Sequence, residues 1–426
     1  MPDPQPGADD AGTATSEPQP DQPDQPDQPE APLLDAPRDG VPPVIETEAA
    51  LEALIADLRA GSGPVAVDAE RASGYRYGQR AFLVQLRRAG AGTALIDPVA
   101  LPDLSALSAA LDGVEWILHA ANQDLPCLAE VGLHPSSLFD TELAARIAGL
   151  ERVGLGAVVE ELLGMRLAKE HSAADWSTRP LPEPWLRYAA LDVELLDDLR
   201  DALAERLAEQ GKTEWARQEF EAVRTALPPG PRVDPWRRTS GMHQVRGRRG
   251  LAAVRELWLA RDAMARARDV SPGRVLPDSA IVAAAKAMPA TVAGLTALPV
   301  FSGRMQRRQA ERWFAAIDRA RSMEESELPP TTLRSDAPPP PRMWADRDPV
   351  AAQRLTDCRA AVAEVAERTG VPSENLVSPD TVRRLCWRPP ADVSEAGLRE
   401  ALTASGARAW QVDLVAGAFA AAFAPA

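Results

Sequence analysis

Two carboxylates one residue apart, in Val65-Ala66-Val67-Asp68-Ala69-Glu70, have the residue types and the spacing to do chemistry. In an extended strand alternate side chains share a face. Val65, Val67 and Ala69 are therefore expected to enter a core, while Asp68 and Glu70 stand side by side on the opposite face. Adjacent anionic oxygens of this kind suit a divalent cation. A second acidic motif follows the apolar run Trp116-Ile117-Leu118. In His119-Ala120-Ala121-Asn122-Gln123-Asp124 the last residue falls where a buried strand turns into a helix. The third motif is Tyr188-Ala189-Ala190-Leu191-Asp192, inside a helical pattern running from about Trp185 to Glu209. There a spacing of four projects Tyr188 and Asp192 from one helical face. Each motif alone fits an ordinary structural role, but three in this order form a far more specific pattern.

In that order the motifs resemble the three exonuclease motifs of the DEDD nuclease superfamily, tyrosine subclass. Three further words are similar to the ribonuclease D family in particular: Phe139-Asp140-Thr141-Glu142-Leu143-Ala144-Ala145, Asp175-Trp176-Ser177-Thr178-Arg179-Pro180-Leu181 and Arg187-Tyr188-Ala189-Ala190-Leu191-Asp192-Val193. The resemblance covers residues 45–325 well and the final stretch weakly. It implies an α/β fold, a ribonuclease-H-like mixed sheet flanked by helices, and a metal-dependent 3′→5′ exoribonuclease releasing nucleoside 5′-monophosphates. The implied partner is an RNA 3′ end, on precursor transfer RNA or another small structured RNA. Phosphodiester hydrolysis needs an in-line water and relief of charge on the leaving oxygen, which two cations about 3.5–4 Å apart supply together. Four carboxylates suit Mg2+ or Mn2+, and no His/Cys set has zinc spacing. By carry-over, Asp68 would bridge both cations, Glu70, Asp124 and Asp192 would complete their shells, and Glu70 would also lie near the terminal 3′-hydroxyl. Tyr188 is the family's water-positioning residue. A phenol with an unperturbed pKa of about 10 is expected to orient the water rather than deprotonate it. Two rivals share the pattern: a DNA-directed 3′→5′ exonuclease, and a non-hydrolytic RNA-binding scaffold on the same fold. The intact acidic set argues against the scaffold.

Organisation follows from composition. Residues 1–44 are rich in Pro, Asp, Gln and Gly and repeat Asp-Gln-Pro, so they are expected to form a disordered tail. Three early strand patterns, near Val65–Asp68, Phe82–Leu86 and Ala94–Asp97, are followed by alternating helix and strand. They define a nuclease domain over 45–228. Leu227-Pro228-Pro229-Gly230-Pro231 closes it. The all-helical segment 235–325 contains Leu257-Trp258-Leu259-Ala260-Arg261-Asp262 and Leu276-Pro277-Asp278-Ser279-Ala280-Ile281, which resemble an HRDC domain. A Pro-rich linker over 326–343 leads to a second helical unit, 344–426. Its Pro372–Ser378 stretch echoes Val270–Ala280, and it is expected to be a diverged HRDC-like domain.

The 426 residues carry a net charge of −15, which superficially argues against a nucleic-acid partner. The distribution reverses that. Residues 1–45 hold ten acids and one arginine, whereas residues 232–322 hold eighteen basic residues and seven acidic ones. A phosphate-binding surface needs only local positive potential. Arg246, Arg248 and Arg249, together with Arg304, Arg307 and Arg308 on one helical side, are the candidate phosphate contacts. Phe82 and Trp176 are candidates to stack on bases, against the competing reading of core aromatics. His119 is a further candidate contact at the second motif. Asp140 is expected to cap the next helix. Lys169, Arg179 and Arg187, near the third motif, could touch phosphates or be solvated surface. No apolar run approaches the roughly 20 residues of a membrane helix. The N-terminus lacks the pattern of a secretory signal, and three scattered cysteines fit neither disulfides nor zinc. A cytoplasmic monomer is the resulting expectation.

Overall fold

A computed structural model describes residues 31–168, 173–227, 230, 232–332 and 336–424. Eight strands occur among them: β1 Leu33–Leu34, β2 Val44–Ile45, β3 Ser62–Arg71, β4 Ala81–Ala89, β5 Gly92–Ile96, β6 Glu115–Leu118, β7 Ser137–Asp140 and β8 Arg166–Leu167. Six form a mixed sheet in the order β2-β5-β4-β3-β6-β7, with β3 antiparallel to β4 and parallel to β6. The helices around them are α1 Glu48–Ala60, α2 Ser105–Ala110, α3 Leu125–Glu130, α4 Thr141–Ile147, α5 Leu155–Leu163, α6 Glu183–Glu194, α7 Leu196–Glu209 and α8 Thr213–Arg224. β3 lies in the middle of the sheet and is buried on both faces. Val65 and Val67 pack with Leu86, Ile96 and Trp116, and on the other face Leu83 and Leu95 pack under Ala189, Ala190 and Trp176. Each such large apolar side chain contributes about 1.5–3 kcal/mol on burial, so the strand carrying the first motif is rigidly held.

Two features of the sheet domain depart from the sequence pattern. Residues 31–44, assigned to the disordered tail, are partly ordered: Leu33–Leu34 pair with Arg166–Leu167, and Val44–Ile45 add an edge strand against β5. Two-residue strands have no periodicity to read, and the surrounding Pro/Asp composition hides them. The remainder of that tail, residues 1–30, lies outside the described residues. The long helix expected from Trp185 to Glu209 breaks at Leu195. Asp197 and Asp198 then occupy the first turn of α7, where acidic side chains favour a helix start.

Beyond the sheet domain the chain is helical: α9 Gly247–Arg268, α10 Pro272–Val275, α11 Asp278–Ala287, α12 Val292–Thr296, α13 Arg304–Arg308 and α14 Ala310–Ser322, then α15 Trp344–Arg347, α16 Pro349–Thr369, α17 Ser373–Leu376, α18 Pro379–Trp387, α19 Glu395–Ala404 and α20 Ala409–Phe423. Both units share an order: long helix, one-turn helix, then a helix of nine or ten residues. Each has its own apolar core, centred on Trp313 and Phe301 in the first and on Trp344 and Phe419 in the second. The expected linker starts late, because Leu328 is buried in the first of these cores. The first unit docks on the loop after β3. Tyr77 donates from its hydroxyl to Asp262 Oδ1 at 3.0 Å, Ser271 N donates to Tyr75 O at 2.8 Å, and Arg274 Nε donates to Gly74 O at 2.8 Å. The second unit docks on α8, where the Trp215 and Trp410 rings stack 5.2 Å apart and Arg408 pairs with Glu219. No helix among the described residues is long and apolar enough to cross a membrane.

Candidate active site

The carboxyl end of β3 carries Asp68 and Glu70 into a cavity of about 1010 Å3. Parallel pairing of Val65 and Ala66 with Trp116 and Ile117 brings β6 alongside, so the turn after β6 delivers Asp124 to the same cavity. That turn is unusual: Ala120 is left-handed at φ 60°, which costs a non-glycine residue about 1–2 kcal/mol. Asp140 holds it. This buried carboxylate accepts from Ala120 N (3.1 Å) and Ala121 N (2.8 Å), and also from Glu142 N (2.9 Å) and Leu143 N (3.1 Å) at the start of α4. The expected cap is present and also clamps the second motif. On the other side α6 lies over β3 and β4 and lowers Tyr188 and Asp192 into the cavity.

Asp68, Glu70 and Asp192 each offer a carboxylate oxygen, all within 4.8 Å of one another. Asp124 lines the same cavity outside that group of three, with Arg71 Nη2 3.3 Å from its Oδ1. Burial dominates the electrostatics and raises all four carboxyls above their ordinary range, reinforced at Glu70, Asp124 and Asp192 by the neighbouring carboxylates. Asp68 moves to about 6, Asp124 to about 8 and Glu70 to about 10, while Asp192 is pushed well up. Arg71 opposes this at Asp68, Glu70 and Asp124 without cancelling it. The Tyr188 hydroxyl donates to Asp192 one turn away. Burial and the neighbouring carboxylates raise the phenol beyond its usual 10, so it stays protonated. Such an all-oxygen donor set fits hard dications.

The remaining candidates divide. His119 is in the cavity wall, with Nδ1 2.9 Å from Thr141 Oγ1; burial lowers its pKa to about 4 and keeps the ring neutral. Phe82 and Trp176 do not offer stacking faces. Both are buried in the core, Phe82 under the Arg80 guanidinium and Trp176 against Trp185 and Tyr188. Helix α6 covers them, and only the sheet's tertiary packing decides that. Arg179 is half-buried and committed to the protein: it grips Asp97 with two hydrogen bonds (2.6 and 2.7 Å) and donates to Phe82 O and Trp176 O. Arg187 pairs with Glu183 on the surface of α6, and Lys169 lies outside the described residues. Arg248 and Arg249 are likewise committed. Their guanidiniums donate to the carbonyls of Glu325 and Leu328, and of Ala320, Arg321 and Met323, closing off the end of α14. Arg246, Arg304, Arg307 and Arg308 remain exposed. Two residues of the cavity wall that the motifs do not mark are Arg71 and Arg146. Arg71 directly follows Glu70, and that adjacency was the available signal.

Comparison with known proteins agrees with this geometry. A 3′-5′ exonuclease family model matches residues 42–208, an HRDC domain model matches 250–317, and one described as the 3′ to 5′ exonuclease C-terminal domain matches 337–423. The ribonuclease D of Acidiphilium cryptum is 33% identical over 394 residues, covering 88% of this chain and 97% of its own. The chain belongs to the ribonuclease D family. It is accordingly a 3′-5′ exoribonuclease, a hydrolase acting on RNA, with the mixed α/β sheet and trailing helical region of that family. Crystal structures extend the likeness. A protein from Bifidobacterium adolescentis is 41% identical with a TM-score of 0.86, covering 92% of this chain and 99% of its own. Escherichia coli RNase D is 28% identical with a TM-score of 0.63, covering 85% of this chain and 96% of its own.

Proposed function

We propose that this ribonuclease D homologue removes nucleotides one at a time from RNA 3′ ends at the Asp68, Glu70, Asp124 and Asp192 cluster, with two divalent cations, Mg2+ or Mn2+, held there. The observation that carries the reading is the convergence of carboxylate oxygens from Asp68, Glu70 and Asp192 within 4.8 Å. Buried carboxylates this close cannot all ionise unless compensated. Bound cations would lower the pKa of an attacking water and stabilise the departing 3′-oxyanion. Asp68, at the centre, is suited to contact both, with Glu70, Asp124 and Asp192 around it. Tyr188, anchored to Asp192 and unable to act as a phenolate, orients the attacking water through its hydroxyl. Glu70 has an oxygen to spare for the terminal 3′-hydroxyl, which selects a chain end. The products are nucleoside 5′-monophosphates.

The substrates proposed are small structured RNAs, precursor transfer RNA among them. The Escherichia coli relative is an exoribonuclease involved in structured RNA processing. Exposed Arg246, Arg304, Arg307 and Arg308 on the helical unit supply the charge to hold the RNA body, and His119 lines the path of its 3′ end. All four carboxylates come from one chain, as a monomer requires, and three buried free cysteines are compatible with the reducing cytoplasm. An end-labelled assay comparing RNA with DNA of the same sequence, with and without Mn2+, tests the proposal. Mononucleotide release from RNA 3′ ends that stops on chelation is expected. Equal release from DNA, or release indifferent to chelator, overturns it.

A further inference from the structure

Arg71 sits where a cation would be needed. It follows Glu70 at a slip in the β3–β4 ladder: Glu70 faces Leu83, whereas Arg71 faces Ala81. Such irregularities re-aim a side chain, and here the guanidinium comes to rest 3.3 Å from Asp124 Oδ1 with 27% of its side chain still exposed in the cavity. The other arginine of the wall, Arg146, is fastened to Glu142 Oε1 by hydrogen bonds of 2.9 and 2.5 Å. Among the described residues of the wall, Arg71 is therefore the cation that answers the acidic cluster.

Charge balance shows what this does. Fully ionised, four carboxylates against one guanidinium would leave the site strongly negative. Two dications neutralise the four carboxylates, which leaves Arg71 as one surplus positive charge. A single phosphodiester cancels that surplus. Moreover, the Asp124 oxygen that Arg71 holds is one that a metal ligand must give up, and a guanidinium beside a dication is repelled. Arginine is the side chain whose planar fork matches both partners, carboxylate first and phosphate second.

We infer that Arg71 is an exchangeable counter-ion: it pairs with Asp124 in the cation-free enzyme, yields that oxygen on loading, and then binds a non-bridging oxygen of the phosphate being cleaved. The inference rests on the two-cation reading above. It gives Arg71 two measurable effects of opposite sign, one weakening cation uptake and one strengthening RNA binding. A fixed structural partner of Asp124 would produce neither.

The test uses the full chain. Mn2+ binding is followed by electron paramagnetic resonance without RNA, and the affinity for a short RNA is measured in Ca2+ over a salt series. Arg71→Gln should bind Mn2+ about tenfold more tightly than wild type yet bind RNA about tenfold more weakly, with a salt slope shallower by about 0.7. Arg71→Lys, which keeps the charge and guards against misfolding, should retain the salt slope and the wild-type Mn2+ affinity. Unchanged or weaker Mn2+ binding in Arg71→Gln overturns the exchange, and an unchanged salt slope overturns the phosphate contact. Failure of the wild-type protein itself to take up Mn2+ would instead sink the cation reading on which the inference rests.

Discussion

At the residue scale, four desolvated carboxylates around one cavity set the behaviour of the site. Their folded-state pKa values lie above those of the unfolded chain, so the folded protein binds more protons between the two. Stability from this source is fully present at and below the ordinary carboxylate range, about 4. It is lost as pH rises through about 6 for Asp68 and about 8 for Asp124. Chelator-treated protein should therefore melt at progressively lower temperature from about pH 5 to about pH 8, and added Mg2+ should restore more at the upper end, because cations bind the deprotonated ligands. Thermal melts with EDTA or Mg2+ across that range check this. A flat profile would show that the cluster is not the cation site. Tyr188, held protonated against Asp192, yields a second expectation. Tyr188→Phe should lower kcat by about 10^2 or more while RNA affinity in Ca2+ stays unchanged. Wild-type turnover in this variant would remove the water-orienting role.

At the element scale, the site depends on two short devices more than on the sheet itself. One is the strained turn at Ala120, whose amides end on buried Asp140. Asp140→Ala removes a helix cap and leaves two buried N–H groups unpaired, at a combined cost of about 3–5 kcal/mol. Because Asp124 rides on the same turn, the variant should also bind Mn2+ more weakly; stability loss with intact Mn2+ affinity would uncouple the turn from the site. The other device is the aromatic wedge under α6, where Trp176 sits between Trp185 and Tyr188 at ring distances of 5.4 and 6.3 Å. It fixes the face from which Tyr188 and Asp192 project. The Arg179 grip on Asp97 ties the same segment to the end of β5.

At the scale of the whole molecule, the first helical unit is fastened to the nuclease domain through polar contacts close to the site. Tyr77, whose hydroxyl donates to Asp262 and accepts from Arg266, is seven residues beyond Glu70. The loop it belongs to also ties Arg76 to Ser177 (2.8 Å), next to Trp176. Docking of the first helical unit therefore braces both the first and third motifs. Charge on this unit is divided by geometry. Arg248 and Arg249 are consumed in closing the end of α14, whereas Arg304, Arg307 and Arg308 of α13 are exposed and are proposed to meet RNA. Replacing Arg304, Arg307 and Arg308 with Ala should flatten the salt dependence of RNA binding by about 0.7 for every phosphate no longer neutralised, with hydrolysis of a dinucleotide unaffected. An unchanged slope would assign RNA holding to another surface.

The order and spacing of the acids, the strands at Val65–Asp68, Phe82–Leu86 and Ala94–Asp97, and the cap at Asp140 were legible in the linear chain. Period-two and period-four patterns and capping chemistry are local, and local geometry suffices to read them. What the long side chains do was not legible. Arg179 finds Asp97 across 82 positions, Arg249 finds the end of α14, Arg71 finds Asp124, and Phe82 and Trp176 vanish beneath α6. An arginine or a tryptophan carries the same chemistry whether it meets solvent, phosphate or a carbonyl. Only the crossing of distant elements decides its partner, because burial and ion pairing depend on which surfaces the packed core brings face to face.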